Sequence, residues 1–104
     1  MSAQTSKSPA AARVALVLAG CGAKDGSEIT EAVSLLMALS QKGYNVQCFA
    51  PDRDTHHVVD HLTGSEKSSE RRNQMHEAAR IARGKIRALS DLKAADFDAV
   101  VIAG

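Results

Sequence analysis

The sequence predicts a doubly wound α/β domain with a parallel sheet, and three stretches of the chain indicate it. Residues 14–18 are a continuous apolar run, as expected for a strand covered on both faces. After a glycine-containing turn, apolar residues recur at helical spacing through residues 29–39. Residues 98–104 form a second strand-like run. The binding site of such a fold is expected at the carboxyl ends of its strands.

The first helix has signals for both of its ends. We expect Asp25 or Ser27 to cap its N-terminus, with Glu28 in capping-box register to Asp25. Gly43 suits the position just after the last turn. Residues 46–50 then read as a second strand, which completes a βαβ unit.

Beyond the second strand, the pattern predicts one more helix and a further buried strand. Residues 58–62 fit both the helical and the strand period, so the type of this element stays open. The remaining predicted elements are a helix over residues 70–82 that ends at Gly84, a short edge strand over 86–89, a polar turn over 91–96 and a strand over 98–104.

Composition separates a tail from a domain. Residues 1–12 are small, polar and without acids, which predicts a disordered tail; residues 13–104 form the α/β domain. We expect a cytoplasmic location. The alternative is a mitochondrial location, which would require this tail to act as a transit peptide.

A parallel sheet needs cover on both faces, and nothing follows the last strand. We therefore expect a fold interrupted after a central strand, with an exposed apolar patch that favours a homo-oligomer.

Several function classes are disfavoured by composition. The formal net charge is +1 and the chain has two Phe, one Tyr and no Trp, so it offers neither a basic stripe nor a stacking surface for nucleic acid. No apolar run is long enough for a membrane span. The two cysteines, Cys21 and Cys48, fit reduced thiols better than a disulfide. We expect no cofactor and no metal.

The glycine loop after the first strand has two interpretations. Its spacing, with Gly20, Gly22 and Gly26, is not that of dinucleotide-binding folds, although Asp52 follows the second strand where a ribose-binding acid would lie. A closely packed strand-to-helix turn is the simpler interpretation. Cys21 in this loop lies beside a helix start, which lowers a thiol pKa and favours a nucleophile. The alternative is a small buried apolar side chain.

Other polar residues give weaker signals. Glu31 has apolar neighbours in the helix, so we expect it to be partly desolvated and suited to proton transfer, unless it is an ordinary surface glutamate. His57 and His61 have the i, i+4 spacing of zinc ligands but no evident third ligand. A group of arginines on the second helix, at positions 71, 72, 80 and 83, is either a solvated face or a partner for acidic groups.

Several blocks of the sequence resemble the ElbB-like proteins of the PfpI-type, class I glutamine-amidotransferase-like superfamily. The resemblance runs from about Arg13 to Gly104. The blocks are Ala19-Gly-Cys-Gly, Asp25-Gly-Ser-Glu-Ile, Glu31-Ala, Cys48-Phe-Ala-Pro-Asp, His61-Leu-Thr-Gly, Arg72-Asn and Glu77-Ala-Ala-Arg-Ile-Ala-Arg-Gly-Lys-Ile.

This resemblance implies a flavodoxin-like three-layer sandwich and a glyoxalase-type, glutathione-independent conversion of small 2-oxoaldehydes to hydroxy acids. Glu31 matches the glutamate that contacts a nucleophilic cysteine on a later elbow. Gly104 matches the first glycine of a backbone oxyanion hole, and Gly22 and Asp25 are assigned with it to oxyanion or substrate binding. The elbow cysteine would follow Gly104, so we expect this chain by itself to be inactive. The alternatives are a non-catalytic interaction module and, less favoured, a nucleotide-binding half-domain.

Overall fold

The structure, a computed structural model, describes residues 11–104. The predicted tail lies outside the described residues except for Ala11 and Ala12. The main elements are β1 (Arg13–Val17), α1 (Ile29–Gln41), β2 (Asn45–Ala50), β3 (Val59–Asp60), β4 (Ser65–Glu66), α2 (Gln74–Ala82), β5 (Ile86–Ala88) and β6 (Ala99–Ile102). Two 3₁₀ turns, Leu89–Asp91 and Ala94–Asp96, connect β5 to β6.

Four strands form a parallel sheet in the order β5–β2–β1–β6. β1 lies inside this sheet, where Leu16 is in register with Cys48 of β2 on one side and Val101 of β6 on the other. The chain adds β2 and β5 on one side of β1 and then returns to add β6 on the opposite side. The point between β1 and β6 is therefore the topological switch point, where open α/β sheets bind their ligands.

Both helices cover the same face of the sheet. Their apolar residues meet those of the central strands in one buried cluster of seven residues. These are Leu16, Leu18, Ala32, Cys48, Ala50, Ala78 and Ala82. Because alternate strand residues point to opposite faces, Phe49 lies on the other face, next to Cys48 in sequence. There it is fully buried against Phe97 of the β5–β6 connection, with ring centroids 5.5 Å apart.

The last strand is the least covered part of the sheet. Among residues 11–104, β6 has a strand neighbour on one side, and the side chains of Val100 and Ile102 are 48% and 74% exposed. We expected an apolar strand without its full cover, and these exposed side chains agree with that expectation. In the same range, neither helix is long and apolar enough to cross a bilayer.

Both helices begin later than the sequence predicted, because other side chains supply their caps. α1 is capped by Glu28, whose Oε1 accepts from the Glu31 N–H at 2.9 Å, and not by Asp25 or Ser27. α2 begins at Gln74 instead of residue 70, because Asn73 Oδ1 accepts from the His76 N–H at 2.9 Å. A side-chain acceptor at this position satisfies a free N–H of the first turn, which fixes the helix start.

The predicted C-terminal ends of both helices are confirmed, and the structure assigns the element whose type the sequence left open. Gly43 and Gly84 follow the two helices with φ of 79° and 81°, a conformation that glycine adopts without strain. The open element at residues 58–62 is β3 and the start of a turn. β3 pairs antiparallel with β4, and the two strands form a small hairpin.

Candidate functional site

The loop that follows β1 is folded tightly back on itself. The Ser27 N–H donates to Ala19 O at 2.6 Å, and the Ala19 N–H donates to Ser27 Oγ at 2.9 Å. Gly26 lies where this turn closes: a Cβ there would be 2.5 Å from Ala19 O and 2.8 Å from Cys21 N. Both neighbours are backbone atoms that cannot move aside. The sequence prediction of a closely packed strand-to-helix turn is therefore confirmed.

Asp25 holds the hairpin against this loop. Its Oδ2 accepts from the Val59 N–H of β3 at 2.9 Å, and its side chain is only 10% exposed. Gly22 lets the two parts approach closely, since a Cβ there would be 2.5 Å from Asp25 Oδ1 and 2.8 Å from the ring of His61. The carboxylate of Asp25 thus binds a residue 34 positions later in the chain instead of capping α1.

Two histidines of the hairpin region hold the backbone of Lys24. His57 Nε2 donates to Lys24 O at 3.0 Å, and the Lys24 N–H donates to His61 Nε2 at 3.2 Å. His61 Nδ1 lies 3.0 Å from Val59 O, which can only accept. His61 Nε2 also lies 3.7 Å from Asp25 Oδ1.

A cavity of about 210 Å³ lies beneath the hairpin, between the glycine loop and the start of α2. It is lined by Cys21, Asp25, Thr55, Val59, His61, Arg72 and Glu77. Within the described residues, Thr55 Oγ1 is a buried oxygen without a hydrogen-bond partner. An unpaired buried hydroxyl costs free energy.

An activated thiol, the less favoured of the two interpretations of Cys21, finds no support in the structure. Burial raises its pKa above the ordinary value of 9.0, and the carboxylates of Glu77 and Asp25 raise it further, against a lowering effect of Arg80. Desolvation and these two negative charges therefore outweigh the lowering effect of Arg80. Burial alone also raises the pKa of Cys48, which is 4% exposed in the core. Both thiols are therefore protonated at neutral pH.

Three of the four arginines of the second helix region, Arg71, Arg72 and Arg80, pair with acids of this chain. Arg72 donates from Nη2 to Glu70 Oε1 at 3.2 Å and from Nη1 to Glu77 Oε1 at 3.4 Å, and the Arg80 Nε lies 3.4 Å from the same Glu77 oxygen. The hydrogen bond to Glu70 is the main reason that the pKa of Arg72 is raised. These contacts hold the guanidinium of Arg72 at the cavity wall.

One residue, Gln74, joins the loops at the ends of β1 and β2. Its carbonyl accepts from the Gly20 N–H at 3.0 Å, and its N–H donates to Arg53 O at 2.8 Å. Its side-chain Nε2 donates to Asp54 O at 3.1 Å. The first residue of α2 thereby fixes both loops that bound the cavity.

Glu31 and Gly104 meet at the switch point between β1 and β6. The Glu28 N–H donates to Gly104 O at 2.7 Å, which brings the end of β6 against the start of α1. A Cβ on Gly104 would be 3.2 Å from Glu31 Oε1. Glu31 is exposed, however, so the partial burial that we expected for it is not found. Ala32, its neighbour in α1, is the residue that faces the core.

The predicted site residues thus fall into two groups. Asp25 lines the cavity and Gly22 packs against Asp25, whereas Glu31 and Gly104 lie at the switch point and do not line the cavity. Sequence reasoning did not identify Thr55, Arg72 or Glu77 as cavity residues. Spacing gave no signal for them, because the hairpin and α2 approach the loop only in the fold.

Two weaker hypotheses find no support in this geometry. Residues 11–104 contain no group of three or more His, Cys, Asp or Glu side chains arranged to hold a metal ion, and His57 and His61 bind Lys24 instead. Asp52, the candidate ribose ligand, accepts a hydrogen bond from Asn73 Nδ2 at 2.9 Å. That bond occupies one of its carboxylate oxygens.

Comparison with known proteins shows close relatives, although no family model matches the chain. It is 54% identical over 94 residues to the human glutamine amidotransferase-like class 1 domain-containing protein 3, mitochondrial. This alignment covers 90% of this chain and 35% of the relative. It is 53% identical over 93 residues to the rat ES1 protein homolog, mitochondrial (89% and 35%), and 41% identical over 95 residues to the zebrafish ES1 protein, mitochondrial (88% and 35%). The chain therefore spans about one third of the length of these curated relatives.

A solved structure shares the fold. The crystal structure of an isoprenoid biosynthesis protein with amidotransferase-like domain from Ehrlichia chaffeensis superposes with a TM-score of 0.87 and 42% sequence identity. The match covers 90% of this chain and 44% of that chain. The four-stranded parallel sheet and two helices described above are thus the flavodoxin-like arrangement of that relative. This agreement in sequence and fold confirms the resemblance to the ElbB-like proteins of the class I glutamine-amidotransferase-like superfamily: over about 90% of its length, the chain is homologous to part of glutamine amidotransferase-like class 1 domain proteins and of an isoprenoid biosynthesis protein with amidotransferase-like domain.

Proposed function

We propose that this chain supplies the acid/base glutamate and an oxyanion-binding backbone to a glyoxalase-type site that converts small 2-oxoaldehydes to hydroxy acids. The observation that carries the proposal is the meeting of Glu31 and Gly104 at the switch point, between the start of α1 and the end of β6. Ligands of doubly wound sheets bind at this position.

The proposed chemistry needs three parts. A thiolate attacks the aldehyde carbon, a carbon–sulfur bond forms, and the carbonyl electron pair moves to oxygen, where backbone N–H groups stabilise it. A carboxylate at the position of Glu31 then takes the proton from this carbon and delivers it to the neighbouring carbonyl carbon, which leaves a 2-hydroxy thioester. Water hydrolyses the thioester, which breaks the carbon–sulfur bond, releases the hydroxy acid and restores the thiolate. Glu31 is exposed and close to Gly104, which suits both access to the substrate and proton transfer at that point.

The thiol must come from outside these 104 residues in this proposal. Cys48 is buried in the core beneath the helices. Cys21 lies in the cavity, which Glu31 does not line, and burial raises the pKa of its thiol. We therefore expect the isolated chain to form no glycolate from glyoxal.

The test is a hybrid in which residues 13–104 replace the matching part of the Ehrlichia chaffeensis protein. We expect the hybrid to form glycolate from glyoxal, and Glu31→Gln to lower kcat by about 10²- to 10⁴-fold, the usual contribution of a general acid or base. Glu66→Gln, an exposed residue of β4, is the matched control and should leave the rate unchanged. A Glu31→Gln hybrid as fast as its parent would exclude the proposed role, and glycolate formation by the isolated chain would exclude the need for a second segment.

A second candidate function, an interaction module, is favoured by the exposed apolar surface. Ile29, Val33 and Met37 form an i, i+4, i+8 stripe on α1 and are 47%, 37% and 54% exposed. Val100 and Ile102 of β6 are also exposed. Apolar surfaces of this kind mark association sites.

We expect the isolated chain to self-associate in sedimentation velocity, and the double change Val100→Lys and Ile102→Lys to shift it toward the monomer. A sharp monomer boundary for the unchanged chain would contradict this.

A mitochondrial location is proposed in preference to a cytoplasmic one. The names of the human, rat and zebrafish relatives all include the word mitochondrial. Fractionation of cells that express the chain with a C-terminal tag tests this proposal. Recovery of the tagged chain in the cytosol alone would contradict it.

A further inference from the structure

We propose that Glu28 is a positioning residue for the switch-point site: it holds the carboxylate of Glu31 beside the backbone of Gly104. The inference rests on the proposed function, because it concerns the same site. It gives a role in that site to a residue that the sequence pattern marked only as part of a helix cap.

The main chain of Glu28 joins the two halves of the site. Its N–H donates to Gly104 O at 2.7 Å, and its carbonyl accepts from the Ala32 N–H at 2.9 Å. The first bond ties the chain just after β6 to the residue before α1, and the second begins the helix. The separation between Gly104 and the first turn of α1 is therefore set at this one residue.

The side chain of Glu28 fixes the backbone of Glu31. Glu31 is the third residue of α1, and the N–H groups of a first turn have no acceptor within their own helix. Glu28 Oε1 accepts from the Glu31 N–H at 2.9 Å and supplies that acceptor. A hydrogen bond to an ionised carboxylate is stronger than one between neutral groups. Glu28 thus holds the point on the backbone from which the Glu31 side chain reaches Gly104.

Packing does little to hold Glu31 itself. Its side chain is exposed, whereas Ala32 is fully buried and keeps the helix on the sheet. Loss of the Glu28 side chain would therefore loosen the first turn of α1 without unfolding the rest of it. Such loosening matters for a catalytic group, because a misplacement of about 1 Å can cost about 100-fold in rate.

Three variants of the hybrid described above test this role. Glu28→Ala removes the acceptor, and we expect kcat for glyoxal to fall by about 10- to 100-fold while KM changes by less than about two-fold. Glu28→Gln keeps an amide oxygen at the same reach and should hold kcat within about three-fold of the parent. Asn73→Ala is the matched control. Asn73 Oδ1 caps α2 with the same 2.9 Å bond, to the His76 N–H, so its loss should lower stability but not kcat.

Combination with Glu31→Gln separates positioning from a general loss of structure. Glu28→Ala should lower kcat in the parent hybrid but cause no further loss in the Glu31→Gln hybrid, because it acts through Glu31. Equal fold-losses on the two backgrounds would overturn the proposal, as would a kcat in Glu28→Gln as low as that in Glu28→Ala. A Glu31→Gln hybrid as fast as its parent would instead show that the proposed function fails.

A second measurement needs no turnover. Glu31 Oε1 lies 3.2 Å from the position of a Cβ on Gly104, so the side-chain protons of Glu31 should give a nuclear Overhauser cross-peak to the α-protons of Gly104 in the full 104-residue chain. We expect Glu28→Ala to lose this cross-peak, and Glu28→Gln and Asn73→Ala to keep it. Its persistence in Glu28→Ala, or its loss in Asn73→Ala, would overturn the proposal whether or not the hybrid is active.

Discussion

The two groups of polar residues at the carboxyl edge of the sheet differ in how they are enclosed. Around Asp25, the loop, the hairpin and α2 surround the carboxylate and fix it with a hydrogen bond to Val59. Around Glu31, the neighbouring backbone at Gly104 approaches from one side and the carboxylate is exposed. The enclosed group is built entirely by this chain, and the open group has a surface onto which other residues can pack.

The largest expected effect is the loss of stability when a side chain is added at Gly26, where the turn beneath the enclosed group closes. Gly26→Ala would place a Cβ within 3 Å of three backbone atoms, so the loop must shift, and we expect a loss of about 3 kcal/mol or more in the free energy of unfolding. Gly43→Ala is the control: it has a φ of 79° but no atom within 4 Å, and should cost only about 1–2 kcal/mol. Urea unfolding measures both. Equal losses would show that the turn is less tightly packed than described.

A smaller effect tests the contrast between the two groups directly. Gly22→Ala places a Cβ 2.5 Å from Asp25 Oδ1 and 2.8 Å from the His61 ring, both held by hydrogen bonds, and should destabilise the fold by about 1–3 kcal/mol. Within 4 Å, the Cβ of Gly104→Ala would meet only the exposed carboxylate of Glu31, at 3.2 Å, and the substitution should change stability by less than about 0.5 kcal/mol. A larger loss at Gly104 than at Gly22 would reverse the assignment of enclosed and open groups.

The smallest effect is the pH dependence contributed by Cys21. Its pKa is raised in the folded chain, so above an ordinary thiol pKa of 9.0 the unfolded state loses this proton first. The folded state then binds more protons, and the free energy of unfolding falls as pH rises through that range. Urea unfolding between about pH 8 and pH 10 should show a shallower decline for Cys21→Ala than for the unchanged chain. An identical decline in the two proteins would contradict the burial of this thiol.

The sheet could be predicted from the sequence because its strands are marked by local composition. Apolar runs placed β1, β2 and β6 within one or two residues of their observed bounds. The helix starts were missed because their caps are individual side chains. Asp25 has good capping spacing, yet its carboxylate binds Val59 across the fold. No local pattern contains that information.

The site was predicted only in part, for the same physical reason. The resemblance brought Glu31 and Gly104 to one place, and the fold puts them within contact distance. The exposure of Glu31 follows from its phase on α1, one residue before the core-facing Ala32, which apolar neighbours alone did not settle. The cavity depends on a hairpin of two-residue strands, β3 and β4, which is too short to give a periodic signal.

The bonds of Gln74 have a consequence for how the molecule opens. Because Gln74 alone bonds to Gly20, Arg53 and Asp54, unfolding of the first turn of α2 removes the bonds that hold both loops. Local unfolding of the carboxyl edge is then a single cooperative event. The amide protons of Gly20 and Gln74 should exchange with deuterium at matching free energies, and Gln74→Ala should accelerate both together.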